Sequence, residues 1–116
     1  MDALKDELDS FRGTTRYYEH FTGLRYTDGV RHLADRAGAY WLVDAIMSWQ
    51  LECKVRRVPF QFWRLRVNED KTAVLEMVED TGLPVIARQT FRWTDFPVGE
   101  IKLYFQNGVL FLPSEY

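Results

Sequence analysis

Few residues in this chain have types and spacing suited to chemistry, and most of those stand alone. Asp44 is the most anomalous, a carboxylate inside residues 39–52, which are otherwise apolar on nearly every side. Burial there would raise its pKa and make it an acid or base, with Tyr26, Asp28 and Asp95 as further candidates of the same kind. A buried charge must be paired in any fold, so the structural alternative comes first: an arginine, a tyrosine hydroxyl or a backbone N–H at a helix–sheet seam. His20 and His32 are the only histidines, and neither stands at metal spacing from the other. With no Cys-x-x-Cys and no His-x-x-x-His, no metal site is expected. Cys53 is the single cysteine; near the end of an apolar helix it reads as a small core filler rather than a nucleophile. Gly23, Gly29 and Gly38 are too spread out for a phosphate loop, and no lysine follows them. No catalytic residue and no cofactor are expected.

A denser signal comes from arginines interleaved with aromatic residues. A period of two puts Phe60, Phe62, Arg64, Arg66, Glu76, Arg88, Thr90, Arg92, Lys102 and Tyr104 on one face of a sheet, with Lys54, Arg56 and Arg57 as a further basic extension. Such a face suits phosphates and stacked bases. It equally suits a protein interface, where Arg, Tyr and Phe concentrate. A solvated face laced with cross-strand Arg–Glu pairs needs neither partner. Glu76 and the acidic turns dilute the positive charge, which ranks protein binding ahead of nucleic acid. The partner-binding residues expected on this basis are Phe60, Phe62, Arg64, Arg66, Arg88, Arg92, Lys102 and Tyr104.

The elements that must position these residues fall into two halves, helical over about 1–58 and β over about 59–116, forming one expected domain. Leu4, Leu8 and Phe11 predict a short amphipathic helix ending before Gly13, and the segment from Thr14 through Tyr18-Glu19-His20-Phe21 to Thr22-Gly23 reads as a second short helical turn. Thr27 is a good N-cap for a helix with Val30, Leu33, Ala34 and Ala37 on its apolar stripe and an Arg31–Asp35 pair on its wet side. Gly38 marks a stop, a kink or a point of close packing, and a second helix is expected over 39–52 with Asp44, Ser48 and Glu52 as its polar line. A basic connector, 54–59, ends at Pro59. Strands follow at 60–67, 72–79, 85–93, 101–106 and 109–112, the last two joined by Asn107-Gly108, a strong hairpin signal. The expected fold is therefore α+β, with N-terminal helices packed on one face of a five-stranded antiparallel meander sheet. Trp63, Leu65, Val67, Ala73, Leu75, Met77, Phe91, Trp93, Ile101, Leu103 and Phe105 would face Trp41, Leu42, Ala45, Ile46 and Trp49 of the helix.

Composition agrees with a folded chain. Of 116 residues 47% are hydrophobic and 16% aromatic, which argues against disorder. The net charge of -2 provides no global basic field. One cysteine cannot form an intramolecular disulfide, and the acidic N-terminus is unlike a signal peptide, so a reducing cytoplasm is the expectation. The longest apolar run, residues 37–43, falls far short of the roughly 20 residues a membrane span needs.

Five motifs, Tyr-Thr-Asp-Gly-Val (26–30), Ala-Gly-Ala-Tyr-Trp-Leu-Val-Asp-Ala-Ile (37–46), Phe-Gln-Phe-Trp-Arg-Leu (60–65), Thr-Asp-Phe-Pro (94–97) and Leu-Pro-Ser-Glu-Tyr (112–116), carry a family resemblance over roughly residues 17–116. Together the chain resembles an uncharacterised domain-of-unknown-function family of small bacterial, phage and plasmid proteins. The resemblance implies cytoplasmic residence and a mobile-element setting, and brings no activity, cofactor or catalytic residue with it. The function expected is thus a small non-enzymatic interaction module, an accessory or inhibitor protein of a mobile element that binds a host protein, for instance against a defence system. A nucleic-acid-binding domain using the Arg/aromatic face is the alternative, and an enzyme with an acid/base site near Asp44 stands third. A homodimer through an edge strand or the outer sheet face is compatible with both binding readings.

Overall fold

The computed structural model of the protein describes residues 2–10, 16–80, 82–97 and 99–116. Its elements run α1 (Asp2–Asp9), β1 (Tyr17–Glu19), β2 (Arg25–Thr27), α2 (Asp28–Ala37), α3 (Tyr40–Trp49), α4 (Cys53–Arg56), β3 (Phe60–Val67), β4 (Ala73–Val78), β5 (Val85–Phe91), β6 (Glu100–Gln106) and β7 (Val109–Phe111), then a 3-10 turn over Pro113–Glu115. The α+β class is as expected; the sheet is not. It has seven strands in the order β1-β2-β7-β6-β3-β4-β5, and β2 lies parallel to β7. Residues 17–19, expected as a helical turn, form β1, which pairs with β2 and lengthens the sheet from the N-terminal half. Phe11 and Gly13, the expected end of the first helix, lie outside the described residues.

Nor is the sheet a meander. The strand after β5 returns to pair with β3, giving β6-β3-β4-β5, the spatial order of a Greek key. Residues 92–99 make this return. They have about 26 Å of reach against the roughly 14 Å that three strand spacings require. The return rests on the end of the β3–β4 hairpin, where the Val67 N–H donates to the Gly99 carbonyl at 2.8 Å and the Thr94 N–H to the Lys71 carbonyl at 2.9 Å. Thr94 and Phe96 are buried beneath it, while Trp93, expected on the inner face, is 67% exposed because β5 has already ended at Phe91.

The helices follow local chemistry. Thr27 is extended, and its hydroxyl oxygen accepts the Val30 N–H at 3.2 Å, opening α2. Gly38 closes the helix in the left-handed region at φ 60°, its N–H donating to the Ala34 carbonyl. α3 buries Leu42, Val43, Ile46 and Met47, each worth roughly 1.5–3 kcal/mol by apolar transfer. It stops at Trp49 rather than at residue 52, because Gln50 turns its amide into the core. The stretch expected as a basic connector contains α4, with Val55 and Val58 buried. Cys53 opens α4 as an exposed side chain, not a core filler. No helix among the described residues is long and apolar enough to cross a membrane.

A buried polar net ties the end of α3 to β3. The Gln61 amide nitrogen donates to Gln50 Oε1 at 2.9 Å and to the Val55 carbonyl at 2.9 Å. Its oxygen accepts from Gln50 Nε2 at 2.8 Å and from the Trp63 indole at 2.9 Å. Gln61→Leu would strand several of these groups, and urea unfolding should show a loss of about 2–4 kcal/mol; an unchanged midpoint would mean that the net contributes nothing.

A second buried polar contact latches the C-terminus. Glu115 Oε1 accepts from the Thr27 hydroxyl at 2.6 Å and the Leu112 N–H at 2.9 Å, and a Cβ on Gly29 would approach the same oxygen to 2.7 Å. Gly29 is thus the gap that admits Glu115 to the start of α2. Burial lifts the Glu115 carboxyl above its ordinary value against the hydrogen bonds from Thr27 and Leu112, and the neighbouring Asp28 carboxyl raises it further. A raised carboxyl stabilises the fold fully below its unfolded value of about 4.3 and loses that stabilisation as pH rises through its folded pKa. Glu115→Gln keeps the acceptor and removes the titration. Its urea midpoint should therefore gain on the wild type as pH rises above about 4.3, and level off once the folded Glu115 carboxyl has ionised.

Candidate functional site

Because β3 buries Gln61, Trp63 and Leu65, its alternate residues Phe60, Phe62, Arg64 and Arg66 must face away from the helices. Strand register then assembles the outer face in rows. Phe111, Tyr104, Phe62 and Val78 form an apolar row across β7, β6, β3 and β4. Lys102, Arg64, Glu76 and Arg88 form a charged row across β6, β3, β4 and β5. Glu100, Arg66, Val74 and Thr90 form the next.

The apolar row thickens into a cluster of rings. Phe62 and Tyr104 pack edge-on at 5.1 Å between centroids, Phe60 meets Tyr104 at 5.3 Å, and Phe111 meets Tyr104 at 5.8 Å. Tyr116, 82% exposed, stacks on Phe111 at 6.0 Å and meets Phe60 at 5.3 Å. Edge-to-face contacts of this kind add about 0.5–1.5 kcal/mol each beyond area burial.

Glu76 organises the charged row. Only 4% exposed, its carboxylate collects three guanidiniums: Oε2 accepts from Arg88 Nε at 2.9 Å and Nη2 at 2.6 Å, and Oε1 from Arg66 Nη2 at 2.9 Å and Arg64 Nη2 at 3.3 Å. Burial alone would raise the Glu76 carboxyl. Hydrogen bonds from Arg88 and Arg64 and the charges of Arg88 and Arg66 outweigh it and hold the pKa below the usual carboxylate value. The arginines remain about half exposed, so their outer N–H groups are still open to a partner. Between rings and charges lies a groove of about 330 Å³ lined by Phe62, Arg64, Glu76, Leu83, Lys102 and Tyr104.

Seven of the eight expected contact residues therefore share this face. The exception is Arg92, which follows the last residue of β5 and sits on the return segment instead of in the charged row. Lys54, Arg56 and Arg57 do not extend the face either. They belong to α4 and its cap, with Lys54 6.0 Å over the Trp49 ring.

Asp44 is not a buried carboxylate. Its side chain is 53% exposed and accepts from His20 Nε2 at 2.7 Å. The partner is thus a histidine, not the arginine, tyrosine hydroxyl or backbone N–H expected. His20 Nδ1 lies 2.8 Å from the Thr22 hydroxyl and accepts the Thr22 N–H at 3.2 Å, which assigns the proton to Nε2. The pair pins the β1–β2 turn to α3. Of the other acid/base candidates, Asp28 sits beside Glu115, Tyr26 stacks on Tyr18 at 5.8 Å, and Asp95 lies on the return segment. The second histidine, His32, contacts Glu7 Oε1 at 2.7 Å and joins α2 to α1.

A family model described as a family of unknown function (DUF6876) matches residues 2–116. The chain belongs to that family. Comparison with curated proteins and with solved structures gave no match. The DUF6876 chain adds two members to its ring cluster that sequence reasoning omitted, Phe111 and Tyr116. Phe111 was within reach of it: a two-residue Asn107-Gly108 turn, with φ of 55° and 77°, sets Tyr104 opposite Phe111. Tyr116 is placed by the 3-10 turn; Pro113 and Glu115 mark the start of that turn, but nothing local says which rings its last residue meets.

Replacing Glu76 by Gln would leave Lys102, Arg64 and Arg88 with no counter-charge in their row, and would take from Arg66 of the next row its ion pair to Glu76. The loss should be about 1–3 kcal/mol near neutral pH, limited by the exposure of the arginines. Since the Glu76 pKa is depressed, its contribution is present above the unfolded value of about 4.3 and fades as pH falls through the folded value. Urea midpoints of wild type and Glu76→Gln should therefore draw together as pH falls below about 4.3 and through the folded value.

Proposed function

We propose that this DUF6876 chain is a non-enzymatic interaction module whose outer sheet face docks onto an acidic, partly apolar surface of another protein. The observation that carries the reading is the pairing, on one sheet face, of a five-ring cluster with a guanidinium cluster around Glu76. Aromatic and arginine side chains are the types that dominate binding energy at protein interfaces. In the charged row and the next, four cations face two carboxylates, Glu76 and Glu100. Lys102 stands directly opposite Arg64, a like-charge pairing that costs stability in the free chain and that an acidic partner would relieve. In the mobile-element setting that the family resemblance implies, the partner would be a host protein met in the cytoplasm.

A nucleic-acid partner is the second reading, favoured by the stacked rings beside the cations. Glu76 weighs against it, because with Glu100 it dilutes the positive charge that binding a run of phosphates needs, while the rings suit a partly apolar protein surface.

Lys102→Glu and Tyr116→Ala alter exposed side chains and should leave the fold intact. With the protein immobilised over a bacterial lysate, and the captured protein then titrated in pure form, the wild type should hold an acidic partner at one-to-one ratio. Lys102→Glu should weaken it about tenfold or more and Tyr116→Ala about fivefold, with affinity falling as salt rises. A partner retained equally by both variants overturns the reading. Oligonucleotide binding tighter than about 100 µM at low salt, with no protein partner, transfers the face to nucleic acid.

A further inference from the structure

On the helix side of the sheet, at the β5 edge, Trp41, Ala45, Gln89, Phe91, Trp93 and Asp95 line a cleft of about 360 Å³. Trp41 of α3 and Phe91 of β5 form one wall, packed edge to face at 5.0 Å. Trp93 forms another, and at 67% exposure it is among the most exposed large apolar side chains described. A tryptophan left in water on a floppy segment would mean little, but this one is held. The next residue, Thr94, is buried, its N–H bonded to the Lys71 carbonyl at 2.9 Å and its hydroxyl oxygen accepting the Phe96 N–H at 3.1 Å; Phe96 is buried as well. Asp95, between two buried residues, is exposed at the cleft. Among the described residues, its carboxylate has no ion-pair or hydrogen-bond partner.

We propose that this cleft binds a small soluble molecule through a quaternary ammonium group. Ring faces carry the negative part of the aromatic quadrupole, and aromatic walls with a carboxylate at the rim make a site for a cation. The choice of cation follows from the acceptors on offer. A primary ammonium brings three N–H donors that must each be satisfied when water is displaced. The side-chain acceptors in the lining are few: Gln89 Oε1 and the Thr94 hydroxyl oxygen each already accept one N–H, from the Trp49 indole at 2.9 Å and from Phe96 at 3.1 Å, which leaves Asp95 as the acceptor with nothing bound among the described residues. A quaternary ammonium has no donors to orphan, is weakly hydrated, and spreads its charge over methyl groups that pack on rings. The volume lies at the small end of ligand pockets, about 300–1,000 Å³, which fits a choline-sized molecule.

The test is calorimetric titration of the full chain with choline, supported by tryptophan fluorescence, since two of the four lining side chains with rings or charge are Trp41 and Trp93. Choline should bind saturably, and 3,3-dimethylbutan-1-ol, its neutral carbon isostere, about tenfold more weakly or not at all. Trp93→Ala and Asp95→Asn should each lower choline affinity about fivefold or more without moving the melting temperature, and Trp93→Phe should recover part of the loss. Equal binding of the neutral isostere, affinity indifferent to both variants, or no binding up to about 10 mM overturns the assignment. Binding of a trimethyllysine peptide without binding of choline also overturns it as a small-molecule site.

Discussion

The rest of the structure depends on which side of β3 is buried. Gln61, Trp63 and Leu65 face the helices, and the Gln61 amide engages Gln50, Trp63 and the Val55 carbonyl together. A strand has a period of two, so a one-residue slip would bury Phe62, Arg64 and Arg66 and expose Trp63. An amide that is only satisfied in one register makes such a slip expensive. The outer face is in this sense the complement of the core: its composition follows from what the helices claim first.

That complement is electrostatically unbalanced. Glu76, on the strand beside β3, gathers three guanidiniums, and Lys102 stands opposite Arg64 across the other neighbour. Cross-strand attraction and repulsion therefore coexist within one row of four residues. The ring cluster beside it is continuous from Phe62 to Tyr116 because the β6–β7 hairpin sets Phe111 opposite Tyr104 and the terminal 3-10 turn brings Tyr116 against Phe60 and Phe111. The latch at Glu115 keeps that terminus in place, so the chain end contributes to the surface as well as to the fold.

The outer face and the Trp93 cleft lie on opposite sides of the sheet and arise from different constraints. Alternation along β3, β4 and β6 makes the first. The second exists because β5 ends at Phe91 and the chain then has to travel back to β3, leaving Trp93 and Asp95 outside the strand pattern while Thr94 and Phe96 anchor the path. A Greek-key return and a plain meander predict the same faces for β3 and β4 but different fates for residues 92–99.

Local and periodic features were legible in the sequence. Thr27 and Gly38 bound a helix because a hydroxyl acceptor and a left-handed glycine act within a few residues of themselves. Alternation placed Phe60, Phe62, Arg64, Arg66, Arg88, Lys102 and Tyr104 on one face, since the pleat needs no knowledge of neighbours. Strand order, the β1–β2 addition parallel to β7, the His20–Asp44 pair, the exposure of Cys53 and Trp93, and the Glu115 latch were decided only by tertiary structure. Each of those depends on which distant segments meet. A one-dimensional pattern carries the direction a side chain takes from its own strand or helix, but not the identity of what waits there.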